Sequence, residues 1–338
     1  MRLGLLGLGR IGAYHADILS ALPAVDALVV ADMSAGLAGQ LAGRWHAETA
    51  NGAAALISSG IDGLVIATST GSHPELLRQA ARAGIPVFCE KPVAHSATEA
   101  AQLASDVQHW ADRIQIGYQR RFDPALIRAR ADLQAGRLGW LHSIRSTTLD
   151  PYPPSHAYLE SSGGLYRDCT VHDFDIIRWV TGREVAEVYA TGSNKGEQWI
   201  ADIPDVDTGA SVVTLDDGTL AVISNTRYNG RGYDTRLELH GSLDSVAAGL
   251  DDRLPLGSLE AGAQFPRGPA CATFMERFAE AYQAELAAFT EVVSGRMPSP
   301  CTVADAIESE LAAEAAAVSL REHRPVSVDE VRPVLNPS

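Results

Sequence analysis

Short apolar runs alternate with amphipathic, alanine-rich segments over the first third of the chain, up to about Gly117. This alternation is typical of strand–helix units around a parallel sheet. Ser96 with Glu99 three residues later predicts a capping box, and Gly84 predicts the end of another helix. The predicted strands span residues 2–6, 27–31, 63–67, 86–89 and 114–117. These patterns predict a doubly wound α/β domain, with a parallel sheet, over residues 1–120.

The rest of the chain has a different pattern. Asp123 followed by Pro124 predicts a helix start, and Gly136 predicts its end. Runs at residues 141–149, 209–215, 219–228 and 235–240 are typical of strands, and residues 217–218 are the Asp-Gly pair of a hairpin. Apolar side chains at helical spacing predict helices over residues 273–293 and 303–321. We therefore predict a second α/β domain, residues 121–338, with a large, mostly antiparallel open sheet.

Composition limits the classes of protein that the chain can belong to. Hydrophobic residues make up 46% and charged residues 20% of the 338 residues, which is typical of a folded globule and excludes intrinsic disorder. The net charge of −15 would repel phosphate backbones and anionic membranes, so we expect no nucleic-acid or membrane partner. No uncharged apolar run reaches about 18 residues, and the four cysteines form no C-x-x-C pair. These features predict a cytoplasmic protein.

A glycine-rich turn follows the first predicted strand. Residues 7–12 read Gly-Leu-Gly-Arg-Ile-Gly, the G-x-G-x-x-G spacing in which the glycines permit a tight turn, close approach of a pyrophosphate, and helix packing. Asp32 lies twenty residues beyond Gly12, at the end of the second strand. A carboxylate there accepts hydrogen bonds from a ribose hydroxyl and repels a 2′-phosphate, which favours NAD over NADP. The alternative is a structural turn, with Asp32 capping the next helix.

Lys91 lies in a Glu90-Lys91-Pro92 segment that directly follows another predicted strand. Open α/β sheets build their ligand crevice at the carboxyl ends of strands, so Lys91 is a candidate donor to a substrate oxygen. The alternative is a surface ion pair between Glu90 and Lys91.

Asp168 and His172 are four residues apart, ahead of an amphipathic segment, and on a helix this spacing places them on one face. A neutral histidine can accept a hydroxyl proton near neutral pH, and a neighbouring aspartate can orient it. The alternative is a capping carboxylate and a structural histidine. No tight ligand spacing links these residues with Cys169 and His156, so no metal site is expected.

Other polar side chains are candidates for substrate binding. The proline-rich stretch at residues 150–158 contains Tyr152 and His156, which suit a loop lining a polyol pocket but also fit an ordinary loop. Arg121 could contact a substrate or anchor a domain junction, and Tyr233 could contact a substrate or anchor a sheet.

Several separated segments, in this order, resemble the Gfo/Idh/MocA oxidoreductase family, and among its members the inositol dehydrogenases most closely. They are the glycine turn at 7–12, Ala67-Thr68-Ser69-Thr70 to His73, Glu90-Lys91-Pro92, residues 117–123 with Gln119, residues 163–175, 233–234, 239–242 and 276–282. The resemblance covers nearly the whole chain. Gln119 stands where inositol dehydrogenases often have Asn, and Cys169 where a larger residue is common, so the choice of substrate stays open.

The resemblance implies an N-terminal Rossmann domain that binds NAD and a C-terminal domain that binds substrate and forms a homotetramer or homodimer. It implies that Lys91, Asp168 and His172 are catalytic. The implied substrate-binding residues are Lys91, Arg121, Tyr152, His156, Asp168, His172 and Tyr233. The implied cofactor-binding residues are Gly7, Gly9, Arg10, Ile11, Gly12, Asp32, Met33, Thr68, Ser69, Thr70, His73, Glu90, Lys91 and Gln119.

The implied activity is NAD-dependent oxidation of a secondary hydroxyl of a cyclic polyol, with myo-inositol converted to 2-keto-myo-inositol. Three alternatives remain open. They are a dehydrogenase or reductase of another sugar (a pyranose, deoxysugar or anhydrosugar), a glycosidase that retains NAD, and a dinucleotide sensor without catalytic activity.

Overall fold

The computed structural model describes residues 1–263 and 266–334 and divides into two compact units. Unit 1 contains Met1–Gln119 and Glu280–Ile307, and unit 2 contains Arg120–Ala279 and Glu308–Arg332. The expected second domain included residues 280–307, which the structure instead assigns to unit 1. The physical reason is packing: in that segment the Phe289 ring lies edge-on to Phe88, with centroids 6.0 Å apart. Residues 335–338 of the expected second domain lie outside the described residues.

Unit 1 is built on a six-stranded parallel sheet with the order β3-β2-β1-β4-β5-β6. Its inner strands are the uninterrupted apolar runs of the sequence, and they are buried because helices cover both faces of a doubly wound sheet. The strands are β1 (Arg2–Leu6), β2 (Ala27–Ala31), β3 (Glu48–Thr49), β4 (Gly63–Ile66), β5 (Val87–Glu90) and β6 (Ile114–Gly117). The doubly wound prediction is confirmed; β3, a short edge strand, was missed.

Helices connect these strands, and their ends follow the local signals. The Ser96 side chain accepts a hydrogen bond from the Glu99 backbone N–H, as the predicted capping motif requires, and Gly84 has a φ of +68° after the helix that it ends. The helices are α1 (Arg10–Leu19), α2 (Ala35–Leu41), α3 (Gly52–Ile57), α4 (His73–Arg82) and α5 (Ala97–Asp106).

Unit 2 contains a seven-stranded sheet with the order β12-β11-β7-β10-β9-β8-β13. Its strands are β7 (Leu141–Leu149), β8 (Val185–Ser193), β9 (Thr208–Leu215), β10 (Leu220–Thr226), β11 (Asp234–Gly241), β12 (Ser245–Ala248) and β13 (Val326–Ser327). All pairings are antiparallel except β7 with β10. The mostly antiparallel sheet is therefore confirmed. The sequence analysis did not predict β8, β12 or β13.

The helices of unit 2 are α6 (Pro124–Gln134), α7 (His156–Ser162), α8 (Val171–Thr181), α9 (Gln198–Ala201), α10 (Phe274–Arg277) and α13 (Val328–Val331). Two further helices are α11 (Ala279–Val293) and α12 (Val303–Glu322). The single helix predicted over residues 273–293 is thus divided, because Phe278, between α10 and α11, has a non-helical ψ of 21°. Among the described residues, no helix combines the length and apolar character needed to cross a membrane.

Candidate active site

The turn after β1 accepts only glycine at two of its positions. Gly7 has a φ of +89°, and a Cβ there would lie 2.5 Å from the backbone oxygen of Ala67. A Cβ on Gly12 would lie 2.0 Å from the backbone oxygen of Gly7. Side chains at either position would displace backbone atoms, so the tight turn and close helix packing depend on these glycines.

The third glycine leaves space for a ligand. Gly9 is the N-cap of α1, no side chain caps that helix end, and a Cβ built on Gly9 would meet no atom within 4 Å. The first turn of α1 also has no acidic residue, and Arg10 is exposed beside it. Backbone N–H groups at a helix start carry partial positive charge and bind phosphates. The residues present therefore fit the pyrophosphate of a dinucleotide.

Asp32 is held at the end of β2. Its Oδ2 accepts a hydrogen bond of 2.8 Å from the Leu8 backbone N–H, and its Oδ1 accepts one of 2.8 Å from the Ser34 N–H. Each carboxylate oxygen has further lone pairs that can accept from a ribose hydroxyl. Met33 beside it is fully exposed. Ile11 and Asp32 are half-buried, and Met33 offers an accessible edge for the cofactor.

The segment from Thr68 to His73 was predicted to bind the cofactor, and one of its residues, His73, is buried. The His73 side chain is 1% exposed; its Nδ1 lies 2.8 Å from the Pro92 oxygen and its Nε2 lies 3.1 Å from the Thr68 oxygen. Burial lowers the pKa of His73. With both ring nitrogens facing backbone carbonyls, His73 links two strand-end loops, while Ser69 and Thr70 keep solvent access.

The carboxylate of Glu90 has a buried partner that the sequence analysis did not identify. Nε2 of His15 lies 2.6 Å from Glu90 Oε1, and the His15 ring is completely buried beside Phe88 and Tyr282. The available signal was a polar residue on the inward face of α1. Lys91, which follows Glu90, is half-buried and precedes a cis peptide bond. His15 therefore anchors the segment that contains Lys91.

Asp168 and His172 lie where a π-helical turn continues into α8. The π-helical turn spans Tyr166–Thr170, and α8 begins at Val171, so Asp168 lies in the π-helical turn and His172 in the first turn of α8. The Asp168 side chain is 14% exposed and His172 is half-buried. π-Helical turns are rare and occur frequently at functional sites.

Two side chains contact the Asp168 carboxylate. The Tyr158 hydroxyl donates to Oδ1 over 2.7 Å, and Nη1 of Arg227 lies 3.4 Å from Oδ2. Burial alone would lower the pKa of Arg227, but the charges of Asp168 and Asp205 outweigh burial and raise it. The sequence analysis missed Arg227. Its signal was an arginine that continues the inward alternation of β10 one residue beyond the strand, two residues after the buried Asn225.

Asp173, directly after His172, holds α8 against the sheet of unit 2. Its buried carboxylate accepts hydrogen bonds from Arg120, Ser146, Thr148 and Asn225. Asp173 raises the pKa of Arg120, although burial acts in the opposite direction. This network fixes the helix from which His172 projects.

The structure buries three side chains that were predicted to bind ligands. Arg121 makes two hydrogen bonds to Asp175, of 2.6 and 3.0 Å, within unit 2. Tyr233 packs against the ring of Phe278, and burial raises its pKa, which supports anchoring of the sheet. Gln119 is also buried. Few atoms of these three side chains are accessible, and their contacts with a ligand stay a prediction.

The loop candidates are accessible. Tyr152 is exposed, and His156 begins α7 with its ring 5.1 Å from that of Trp199. Trp199 is a further candidate for the rim of a polyol site. Across residues 1–263 and 266–334, no group of three or more His, Cys, Asp or Glu side chains is arranged to hold a metal.

Comparisons with known proteins agree with this geometry. Residues 1–118 match the family described as "Oxidoreductase family, NAD-binding Rossmann fold", and residues 126–247 match the "GFO/IDH/MocA C-terminal domain". Inositol 2-dehydrogenase of Rhizobium meliloti (strain 1021) is 34% identical over 329 residues, covering 97% of this chain and 99% of that relative.

Solved structures show the same similarity. A myo-inositol dehydrogenase from Corynebacterium glutamicum has a TM-score of 0.89 at 31% identity, covering 100% of this chain and 99% of that chain. A scyllo-inositol dehydrogenase from Lactobacillus casei, with bound NAD(H) and scyllo-inositol, has a TM-score of 0.86 at 25% identity, covering 97% and 99%. The chain thus belongs to the Gfo/Idh/MocA oxidoreductase family, as an NAD-dependent enzyme that acts on CH–OH groups.

Proposed function

We propose that the protein oxidises a secondary hydroxyl of a cyclic polyol with NAD, converting myo-inositol to 2-keto-myo-inositol. The observation that carries the proposal is the partly exposed Asp168 carboxylate, oriented by Tyr158 and Arg227, four positions before the half-buried His172. The inositol dehydrogenases among the relatives support the same substrate class.

In the proposed mechanism each side chain has one task. His172 accepts the hydroxyl proton, since a neutral imidazole has suitable basicity near neutral pH. Lys91 stabilises the negative charge that develops on the substrate oxygen, and Asp168 orients His172. NAD, when bound, supplies the hydride acceptor. Gly9 and the start of α1 hold its pyrophosphate, and Asp32 its ribose.

The test is a panel of inositols, pyranoses and anhydrosugars incubated with NAD or NADP while absorbance of the reduced nicotinamide is followed. We expect NADH formation with myo-inositol and little reaction with NADP. Reaction with a pyranose or anhydrosugar alone would reassign the substrate. Sugar release from a glycoside without net NADH would identify an NAD-retaining glycosidase, and silence across the panel would favour a sensor.

His172→Ala tests the assigned base. We expect turnover to fall by about 10²–10⁴-fold, the usual contribution of general-base catalysis, with NAD affinity retained. His142→Ala, which changes an exposed histidine of the same unit, is the matched control for the removal of an imidazole. Unchanged turnover in His172→Ala would contradict the role of this residue.

We also propose that the chain forms a homo-oligomer through the outer face of the unit 2 sheet. Tyr189, Val212 and Val222 are exposed, and the strand register places them side by side in one row. Such an apolar row is typical of a surface that a second copy covers. We also propose that the protein lies in the cytoplasm, because the four cysteines of the sequence form no C-x-x-C pair, which suits a reducing compartment.

A further inference from the structure

We propose that Arg227 is a positioning residue for Asp168: its guanidinium binds both Asp168 and Asp205 and so holds the Asp168 carboxylate ionised and correctly oriented. The inference rests on the proposed function only for the consequence on turnover. The coupling between Arg227 and Asp168 is a property of unit 2 and can be measured without substrate.

The geometry joins two carboxylates through one buried cation. Nη1 of Arg227 lies 3.4 Å from Asp168 Oδ2, and Nη2 lies 3.4 Å from Asp205 Oδ2. The Arg227 side chain is 1% exposed. A planar guanidinium can face two acids at once with a fixed separation, which an ammonium group cannot do. Arg227 thus sets the distance between Asp168 and Asp205.

Asp205 links this pair to the backbone before the π-helical turn. Its Oδ1 accepts a hydrogen bond of 2.8 Å from the Leu165 N–H, one residue before Tyr166 begins the turn. One carboxylate therefore binds the start of the segment that contains Asp168, and Arg227 connects that carboxylate to the Asp168 side chain. The Leu165 backbone and the Asp168 side chain are thus connected through the Arg227 guanidinium, Leu165 by way of Asp205.

The other groups near this cluster also bear on its charge. Tyr158 donates to Asp168 from α7. The charge of Asp150 acts on Arg227 in addition to those of Asp168 and Asp205. Loss of Arg227 would leave acidic groups close together without their shared cation. A proton would then bind Asp168 more readily, because a cation within 4–6 Å typically displaces carboxyl titration by roughly 1–3 pH units.

The experiment uses the full chain with isotope-labelled aspartate carboxyl carbons, and Asp168→Asn identifies the Asp168 resonance by its absence. The variants are Arg227→Met, which removes the charge, and Arg227→Lys, which keeps a charge without the planar fork. Arg178→Met is the matched control: Arg178 is another buried arginine of unit 2, and its partner is Glu184. Each variant is also measured for thermal unfolding, NAD affinity and the pH dependence of kcat/KM.

In Arg227→Met we expect the titration midpoint of Asp168 to rise by at least about one pH unit. The acid limb of kcat/KM should move by the same amount, and kcat at low pH should fall roughly tenfold while NAD affinity stays constant. Arg227→Lys should displace the Asp168 midpoint and the acid limb of kcat/KM by a smaller amount. Arg178→Met should lower thermal stability without displacing the midpoint or the acid limb.

An unchanged Asp168 midpoint in Arg227→Met, or an equal displacement in Arg178→Met, overturns the inference. A displaced midpoint with an unchanged acid limb removes the role in the reaction. If Arg227→Met fails to fold, Arg227→Lys decides: a midpoint identical to that of the unsubstituted protein, with lowered kcat/KM at every pH, also overturns it. If the unsubstituted protein oxidises no polyol, the proposed function fails, whereas the NMR midpoint still decides whether Arg227 controls Asp168.

Discussion

Replacement of Asp173 by Asn tests the buried network that holds α8. The Asp173 carboxylate is completely buried. Its Oδ1 accepts from Arg120 Nη1 at 3.1 Å, Ser146 Oγ at 2.6 Å and Thr148 Oγ1 at 2.8 Å, and its Oδ2 accepts from Asn225 Nδ2 at 2.9 Å. Asparagine preserves the shape but removes the charge and replaces one acceptor with a donor.

The main cost to the free energy of unfolding is the uncompensated charge of Arg120, a residue that is 2% exposed. Removing one partner of a buried ion pair typically costs about 3–5 kcal/mol, because the other charge remains buried without compensation. The Phe278 ring, 5.8 Å from the Arg120 guanidinium, offsets only a fraction of this. Since folded proteins are stable by about 5–15 kcal/mol, Asp173→Asn should remove a large part of the stability.

Urea unfolding followed by circular dichroism measures this loss. The control is Asp132→Asn, which breaks the ion pair with Arg137, whose side chain is 58% exposed. We expect this control to lose about 0.2–1 kcal/mol of the free energy of unfolding. The double variant Arg120→Met with Asp173→Asn should recover stability relative to Asp173→Asn alone, because no charge is then left buried. A loss below about 1 kcal/mol in Asp173→Asn, or a double variant less stable than the single one, would refute the reasoning.

Three further predictions concern the cofactor turn, pH and assembly. Gly12→Ala should weaken NAD binding at least roughly tenfold in a fluorescence titration, because its Cβ would collide with the Gly7 oxygen; unchanged affinity would contradict the fit of this turn. Burial raises the pKa of Tyr166 to about 12, above its unfolded value of 10.0, so its stabilising contribution is complete below pH 10 and disappears as pH rises toward 12. Tyr166→Phe should therefore flatten the fall in stability over that window, measured by urea unfolding, and an equally steep fall would contradict it. Val222→Asp should reduce the oligomer to smaller species in analytical ultracentrifugation, because it places a charge in the proposed interface; an unchanged sedimentation coefficient would exclude that face.

Local signals were sufficient for much of the fold. Uninterrupted apolar runs predicted most strands of the parallel sheet, and alternation predicted β7, β9, β10 and β11. Short edge strands such as β3 and β13 were missed because two residues have no period to detect. The position of Phe289 in unit 1 was also missed, since helical spacing identifies an apolar face but not the surface that covers it.

The candidate site divides in the same way. The glycine turn was predictable because the positive φ of Gly7 and the close approach of Gly12 to the Gly7 oxygen arise within one short segment. The spacing of Asp168 and His172 made them a candidate pair, and their roles stay a prediction. The partners of those groups come from distant positions: Glu90 contacts His15 from 75 residues away, and Arg227 reaches Asp168 across 59.

The sequence by itself therefore determined the parallel sheet, the dinucleotide turn and the candidate proton acceptor. Only the tertiary structure decided that Arg227 contacts Asp168, that His15 contacts Glu90, and that Arg121 binds Asp175. The physical reason is the separation along the chain over which each interaction acts. Periodicity and turn sterics act within a few residues, whereas a buried charge takes its partner from whichever strand or helix the topology brings beside it.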